Sequence, residues 1–430
     1  MVWRYWLLSG LFGAIFGVRF TLDVWMFQHL ASASSGKFAF IGLTFAGMLI
    51  GELCAGPISD RVGRMIALRV AAVAIVGWAV SSILAVVSGN PSFLLSGTLL
   101  FGVGFGLFHS SLDAWFAEKA SACLAVPALE FRLTQGYLTY NVGYLLGASL
   151  AFPLLLGFDW NLDLISSVLG GSFYVWPYVL ALALVGAILL LIVKDGAAKP
   201  AVVADRPRIT LRQIGRDYAA ILTTGRAGLW GVLFVAGSIA LIIQLIDHLA
   251  PAVLLPGATL AAKSVNVLVF NATVCACVGT LQYFLHRVGG AEGIGPSVRD
   301  GIVKFSLCIV VLLLAFCLLE TDAAAGWEGK WLGLVLGLAQ AILLMLPPLM
   351  KAWVFEFNVG DRYATTLAVL GISKRLFAIV ATFGLPWLVQ LSGGPRPAGE
   401  NVTLYGLATG VTLITLAILV FSARRPQRAV

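Results

Sequence analysis

Long apolar segments dominate this sequence and restrict what it can fold into. Twelve of them, each bounded by glycine, proline or charged residues, lie at about 5–30, 38–57, 66–88, 93–117, 133–157, 173–193, 228–249, 264–285, 302–319, 331–355, 364–389 and 403–422. A helix needs roughly 20 apolar residues to cross the hydrocarbon core of a bilayer. Only 11% of the 430 residues are charged, whereas soluble proteins have about 25%. The sequence therefore predicts an all-α integral membrane protein with twelve transmembrane helices.

Other classes of protein fit the sequence poorly. So few charges cannot cover a water-soluble globule of this size, which argues against a cytosolic enzyme, a disulfide scaffold and a disordered chain. Strands of a membrane barrel would be shorter and would alternate in polarity, which these segments do not. The first apolar run contains Arg19 and Asp23 before the small residues that resemble a cleavage site, so we interpret it as an uncleaved membrane helix.

The distribution of basic residues predicts the orientation in the membrane. With the N-terminus inside, 20 of the 28 Lys and Arg residues fall on the inner side, four on the outer side and four within spans. Loops on the cytoplasmic side carry the excess of Lys and Arg. Both termini are therefore predicted to be cytoplasmic, in the cytoplasmic (inner) membrane of a cell. The net charge of +8 is explained in the same way and does not indicate nucleic acid as a partner.

The longest polar segment divides the chain into two sets of six predicted spans. We predict an N-terminal bundle over 1–194, a cytoplasmic linker over 195–227 and a C-terminal bundle over 228–430. Within the linker, Leu211, Ile214, Tyr218 and Ile221 recur at helical spacing beside basic residues. This pattern predicts an amphipathic helix on the inner leaflet.

Three short sequence matches relate the two halves. Their separations are similar, and each pair falls at corresponding spans; the matches are Leu112–Glu118 with Met350–Glu356, Asp60–Gly63 with His286–Gly289, and His29–Ala31 with His248–Ala250. A duplicated six-helix unit is the sequence mark of a transporter built from parallel halves.

The loop after the second span reads Gly-Pro-Ile-Ser-Asp-Arg-Val-Gly-Arg over 56–64. Together with the 6+6 arrangement, this loop resembles the signature loop of the major facilitator superfamily, although Met65 replaces the family's last basic residue. The resemblance implies a cytoplasmic gate in which Asp60 holds span 11 and Arg64 pairs with Glu118. The gate-loop residues are Gly56, Asp60, Arg61, Gly63, Arg64 and Glu118. As an alternative, the charged members are ordinary anchors at the inner leaflet.

Charged residues within spans are costly and need a reason. Arg19 and Asp23 share one helix face, and either they neutralise each other or Asp23 carries a proton with Arg19 as its tuner or a substrate anchor. Lys374 and Arg375 lie near the middle of span 11, where they form a cationic centre or pair with acids such as Asp247.

Further polar groups complete the predicted substrate and proton pathway. His109 and Asp113 share a face of span 4, and Asp113 corresponds to Lys351 in the repeat. The remaining candidates are Asn141, Tyr144, Gln244 and Asp247, although any single polar residue of this kind is more often a helix-packing residue.

The function that follows from the resemblance is secondary active transport of a small organic solute, anionic or amphipathic, by alternating access. We expect protons as the coupling ion, membrane lipids as surroundings, a monomer, and no cofactor or metal. A drug/proton antiporter is an alternative that the missing Gly-Pro pair in span 5 disfavours. A polytopic membrane enzyme is a second one, disfavoured because no Asp-Asp-x-x-Asp motif occurs and the His109–Asp113 pair stands alone. A channel is a third, and no repeated pore loop supports it.

Overall fold

A computed structural model of the chain describes residues 2–30, 36–121, 126–155, 176–193, 211–224, 227–254, 260–289, 296–320, 327–355, 363–391 and 397–422. Each of these segments consists of helices apart from short turns. The thirteen helices within this part of the chain are α1 (Val2–Leu30), α2 (Gly36–Arg61), α3 (Arg64–Ser88), α4 (Pro91–Ser121), α5 (Val126–Leu155), α6 (Trp176–Val193), α7 (Leu211–Thr224), α8 (Ala227–Leu254), α9 (Leu260–Gly289), α10 (Pro296–Leu319), α11 (Trp327–Phe355), α12 (Tyr363–Leu391) and α13 (Pro397–Ser422).

Eight stretches in the described residues are long and apolar enough to cross a bilayer. They are Phe40–Asp60, Arg64–Ser88, Pro91–Ala120, Leu229–Ile246, Val298–Leu319, Trp331–Lys351, Ala364–Gly384 and Val402–Val420. Large apolar side chains remain exposed on these helices, for example Leu312, which is 68% exposed. An apolar surface of this kind is stable against lipid chains rather than water. The protein is therefore an all-helical, multi-pass membrane protein, and the number of twelve spans stays a prediction.

The helices group into two compact units. The first comprises Met1–Leu124, Gln135–Ala219 and Asn358–Ile372, and the second comprises Ala125–Thr134, Ala220–Phe357 and Ser373–Val430. The first turns of α12 thus pack with the N-terminal helices, and the first turns of α5 pack with the C-terminal ones. The linker helix α7 belongs mostly to the first unit.

Each unit uses the same plan of helix contacts. In the first unit the contacting pairs include α1–α2, α1–α4, α1–α6, α2–α4, α3–α4 and α3–α6. In the second unit the corresponding pairs are α8–α9, α8–α11, α8–α13, α9–α11, α10–α11 and α10–α13. A duplicated six-helix unit would give such equivalent pairs, because helices in equivalent positions of two copies bury equivalent faces.

Glycines bring α2 and α4 into main-chain contact. Gly47 and Gly51 on α2 face Gly102 and Gly106 on α4, and a Cβ added at Gly106 would lie 2.4 Å from the main-chain oxygen of Met48. Small residues spaced four apart allow membrane helices to approach closely, where dispersion and weak hydrogen bonds replace the hydrophobic effect. This contact fixes the middle of α2 against α4.

A second glycine contact joins α1 to α5. A Cβ added at Gly13 would lie 2.0 Å from the main-chain oxygen of Tyr140, and one at Gly143 would lie 1.9 Å from that of Gly10. The main chains therefore touch, and no larger residue fits without separating the helices. The contact holds the polar and aromatic face of α5 beside α1.

Candidate functional site

The carboxylate of Asp60 caps the start of α12. It accepts hydrogen bonds from the main-chain nitrogens of Ala364 at 3.2 Å and Thr365 at 2.9 Å, and from the Thr365 hydroxyl at 2.7 Å. The first N–H groups of a helix have no intrahelical acceptor, and the helix dipole favours a negative charge there. Asp60 thus satisfies three donors of a helix that lies about 300 residues later in the chain. These bonds join Asp60 to the helix of predicted span 11, and the role of the contact as a gate stays a prediction.

Arg64 connects the end of α2 to the foot of α4. Its guanidinium lies 2.6 Å from a carboxylate oxygen of Glu118 and 3.5 Å from one of Asp60, and it also donates to the main-chain oxygen of Ala114. The Arg64 side chain is only 8% exposed, whereas Glu118 is 58% exposed. A buried guanidinium with these acceptors holds α2 and α4 together, and its role in a gate stays a prediction.

Two glycines of the gate loop have distinct structural reasons. Gly63 separates α2 from α3 with φ at +128°, a conformation that side chains disfavour. Gly56 lies in close contact with α12, because a Cβ there would be 2.8 Å from the Cα of Thr365 and 3.1 Å from the hydroxyl of Tyr218. The loop glycines therefore permit the turn and the approach of α12, respectively.

Tyr218 of the linker helix α7 is bonded to the proline site of α2. Pro57 has no N–H, so the carbonyl of Leu53 loses the donor that an α-helix normally supplies four residues later. The Tyr218 hydroxyl donates to that carbonyl at 3.0 Å and to the carbonyl of Glu52 at 3.1 Å. Burial, with a further contribution from the charge of Glu52, raises the pKa of Tyr218, which keeps this hydroxyl a donor.

Glu52 is a buried acid of α2 that sequence analysis missed. The Ser110 hydroxyl of α4 donates to its carboxylate, and Gly371 of α12 lies directly against the same carboxylate. Glu52 falls within a predicted span, four residues before the loop motif that begins at Gly56. An ionisable residue inside an apolar span is a sequence signal for a functional group, and Glu52 carries this signal.

Arg19 lies among helices α1, α2 and α4. Its guanidinium donates to the Thr44 hydroxyl at 2.5 Å and stacks near the rings of Phe101 at 4.7 Å and Phe40 at 5.5 Å. Cation–π contacts are strongest where the cation is desolvated, as it is here. In the described residues these partners support a packing contribution of Arg19. The side chain of Asp23, its predicted partner, lies outside the described part, as do those of Arg61 and Asp247.

Asp113 and His109 face different surroundings although they share a face of α4. The hydroxyl of Tyr5 on α1 donates to the Asp113 carboxylate at 2.8 Å. His109 contacts the rings of Phe105 at 4.7 Å and Tyr140 at 5.1 Å. Asp113 is thus hydrogen-bonded to α1, whereas His109 belongs to an aromatic cluster.

That aromatic cluster consists of Phe12, Phe16, Phe105, His109, Tyr140 and Tyr144 on α1, α4 and α5. Phe16 lies 5.7 Å from Tyr144 and 6.1 Å from Tyr140, measured between ring centroids. Asn141 follows Tyr140 on α5 and is buried. The rings pack α1, α4 and α5 against one another, and the predicted role of His109, Asn141 and Tyr144 in a substrate pathway stays a prediction.

The predicted cationic residues lie in the second unit. Exposure is intermediate for the three cations, Lys351, Lys374 and Arg375, and also for the uncharged residue Gln244. Beside them, the Ser373 hydroxyl donates to the main-chain oxygen of Leu233 at 2.7 Å, which joins α12 to α8. Within the described residues, no group of three or more His, Cys, Asp or Glu side chains is arranged to hold a metal ion.

Comparison with solved structures identifies the fold. The fucose:proton symporter of E. coli gives a TM-score of 0.64 at 17% identity, covering 96% of this chain and 98% of that one. A human organic anion transporter gives 0.70 at 17% identity, covering 97% and 98%. A proton:xylose symporter of the major facilitator superfamily gives 0.69 at 13% identity, covering 96% and 94%.

No family model matches the sequence, and no curated protein matches it either. The similarity therefore resides in the arrangement of helices along nearly the whole chain, and it agrees with the resemblance of the 56–64 loop. The solved structures are those of transporters rather than enzymes. The chain has the fold of the major facilitator superfamily transporters.

Proposed function

We propose that this protein is a proton-coupled secondary active transporter that moves a small organic solute across the cytoplasmic membrane by alternating access. Its twelve spans form two six-helix bundles with both termini in the cytoplasm. The bond set between Asp60 and the first turn of α12 carries the proposal. A charged cap on the end of a helix from the other half of the sequence is a contact that can form and break as one unit.

The proposed solute class rests on groups that each unit contains by itself. The first unit contains the aromatic cluster around His109, and the second contains the cations Lys351, Lys374 and Arg375. Aromatic faces accept apolar surface or a sugar ring, and cations accept a carboxylate or phosphate. We therefore propose an anionic or amphipathic organic solute. The solved transporters of this fold are named for fucose, organic anions and xylose. Sugars and organic anions are therefore the first solutes to test.

Uptake into proteoliposomes tests the proposal. Purified full-length protein is assayed against a panel of sugars, organic anions and hydrophobic drugs, with and without an imposed pH gradient. We expect one class to accumulate with the gradient and to equilibrate without it. Asp60→Asn serves as the impaired variant, and Asp300→Asn serves as its control, because Asp300 pairs only locally with Lys304.

The outcomes separate the alternatives. Accumulation of hydrophobic drugs inside vesicles whose lumen is acidic, driven by outward proton flow, would identify a drug/proton antiporter instead. Gradient-independent equilibration of a solute would keep transport and remove proton coupling. Absence of movement for every class, with correctly folded protein, would contradict the proposed function.

A further inference from the structure

The linker helix α7 has two opposite faces with different surroundings. Tyr218 and Ile221 are buried, at 9% and 1% exposure, whereas Arg212 and Arg216 are exposed. At 3.6 residues per turn, the two arginines lie about 40° apart around the helix, and Ile221 lies about 180° from Arg212. The helix therefore turns its apolar face to the protein and its basic face away from it.

The apolar face of α7 is bonded beside an apolar, exposed surface of α2. The Tyr218 hydroxyl donates to the main-chain oxygen of Leu53 at 3.0 Å. The Leu53 side chain is 41% exposed, and that of Ile50, one turn earlier, is 46% exposed. Exposed apolar side chains on the span Phe40–Asp60 are stable against lipid. Leu53 lies about 10 Å from the end of that span, so α7 lies near the boundary between acyl chains and headgroups.

The charge of this segment is suited to an anionic leaflet. Residues 205–226 contain five arginines and two aspartates, a net charge of +3. Asp217 lies about 100° around the helix from Arg216, so it is not on the basic face. A guanidinium binds phosphate through two parallel hydrogen bonds, which an ammonium does not match. Each basic residue near an anionic leaflet strengthens association about fivefold.

We propose that the basic face of α7 binds the headgroup of an anionic phospholipid, and that the bound lipid strengthens the attachment of α7 to α2. Arg212 and Arg216 hold the phosphate, and the acyl chains lie on the exposed side chains of Ile50 and Leu53. A free phosphate carries the same anionic group but has no acyl chains for this apolar surface. The lipid is therefore the occupant to which we assign the site. This inference goes beyond the proposed transport and does not depend on the solute.

Tyr218 connects the basic face to the junction of α2 with α12. A Cβ added at Gly56 would lie 3.1 Å from the Tyr218 hydroxyl and 2.8 Å from the Cα of Thr365. The hydroxyl is thus at the place where the first turns of α12 approach α2. A lipid that restrains α7 also restrains this junction, whereas lipid on an unconnected basic patch would not.

Lipid binding provides the first readout. Purified full-length protein in a neutral detergent is titrated with phosphatidylglycerol, and bound lipid is counted by native mass spectrometry. We expect the double variant Arg212→Gln/Arg216→Gln to weaken binding about 25-fold, since two basic residues are lost. The double lysine variant should recover most of the binding. Arg287→Gln is the control, because that arginine is also exposed and bonds to Tyr283 of its own helix.

Two outcomes of this titration would overturn the proposal. One is equal affinity of wild type and the double glutamine variant for phosphatidylglycerol. The other is displacement of the lipid by inorganic phosphate at matched ionic strength, which would identify a site for soluble phosphate. Phosphatidylcholine, which has no net charge, should bind wild type and the double variant equally.

Thermal unfolding provides the second readout and tests the connection through Tyr218. We expect phosphatidylglycerol to raise the melting temperature of wild type and to leave that of the double glutamine variant unchanged. Tyr218→Phe should still bind the lipid but should lose more than half of the lipid-induced shift, because α7 is less firmly joined to α2. Thr280→Ala, which removes an exposed hydroxyl bonded within its own helix, should keep the full shift. A full shift in Tyr218→Phe would contradict the connection.

This inference and the proposed function fail separately. A protein that binds phosphatidylglycerol through α7 but moves no solute would refute the proposed transport alone. A protein that accumulates solute with a pH gradient, and whose lipid binding is insensitive to the two arginines, would refute only the lipid site.

Discussion

The hydroxyl of Tyr218 lies 3.0 Å from the main-chain oxygen of Leu53, the carbonyl that Pro57 leaves without an intrahelical donor. The linker helix therefore completes the hydrogen bonding of α2 at the point where the gate loop begins. An unpaired buried carbonyl is costly, whereas a single hydroxyl from another helix removes that cost.

Removal of this hydroxyl should weaken the attachment of α7 to α2. We expect Tyr218→Phe to lower the free energy of unfolding by about 1–3 kcal/mol, because a buried carbonyl is left without its donor. Thermal unfolding of the purified protein in detergent measures the loss. Thr280→Ala is a suitable control, since that exposed hydroxyl donates to the main-chain oxygen of Ala276 in its own helix. Equal stability of Tyr218→Phe and wild type would show that water replaces the bond.

Neutralising Asp60 should favour the open inner gate. Asp60→Asn retains one acceptor but places an NH2 group near the donors of Ala364 and Thr365. Hydrogen bonds to charged groups contribute about 1.5–3 kcal/mol, so the closed state should lose about tenfold or more in population. Maleimide labelling of a cysteine at Leu367 measures the shift, and Arg64→Ala should act in the same direction. If both variants transport with wild-type kinetics at equal expression, Asp60 and Arg64 are only structural anchors and do not control the gate.

A methyl group between α2 and α4 should destabilise the first unit. Gly106→Ala places a Cβ 2.4 Å from the main-chain oxygen of Met48, and overpacking of this kind costs about 1–3 kcal/mol. Gly186→Ala is the matched control, because nothing lies within 4 Å of the added Cβ. Fluorescence-detected size exclusion after heating compares the two. A Gly106→Ala variant as stable as the control would mean that the helices separate without cost.

The orientation predicted from charge can be tested with reporter fusions. Fusions at Gly89, which ends α3, and at Gly326 should be accessible from outside, and a fusion at Ala204 only from inside. Positions 204 and 326 lie outside the described residues. An external signal from Ala204 would exclude the 6+6 topology.

Asp23 is the acid of α1 that we predicted to carry protons. If it does, Asp23→Asn should abolish gradient-driven accumulation of the solute found by the panel, while exchange at equal concentrations continues. If it instead pairs with Arg19, the lost buried partner costs about 3–5 kcal/mol, expression should fall, and Arg19→Gln should restore it. Expression and exchange of the single and double mutants distinguish the two. A well-folded Asp23→Asn that still accumulates solute would transfer the coupling role to another acid.

Much of the fold was predictable because membrane insertion depends on local composition. Length and apolarity of a segment determine whether it can lie in lipid, so the boundaries of α3, at Arg64–Ser88, nearly coincide with the predicted run 66–88. The contacts of Asp60 and Arg64 could be expected because their loop motif is contiguous in sequence, whereas their role in a gate stays a prediction. The glycine pairs Gly47/Gly51 on α2 and Gly102/Gly106 on α4 are each spaced four residues apart, which is a sequence signal for close helix packing.

Contacts between distant segments depend on tertiary packing and leave no local pattern. Nothing around position 218 indicates that its hydroxyl meets the carbonyl freed by Pro57, more than 150 residues earlier. Likewise, the charge of Glu52 is visible in the sequence, but only the packing of α4 and α12 places Ser110 and Gly371 against it. The sequence by itself determined which segments enter the membrane, since that is set by transfer free energies of single residues. The tertiary structure decided which polar groups meet inside it, because those contacts depend on how helices cross.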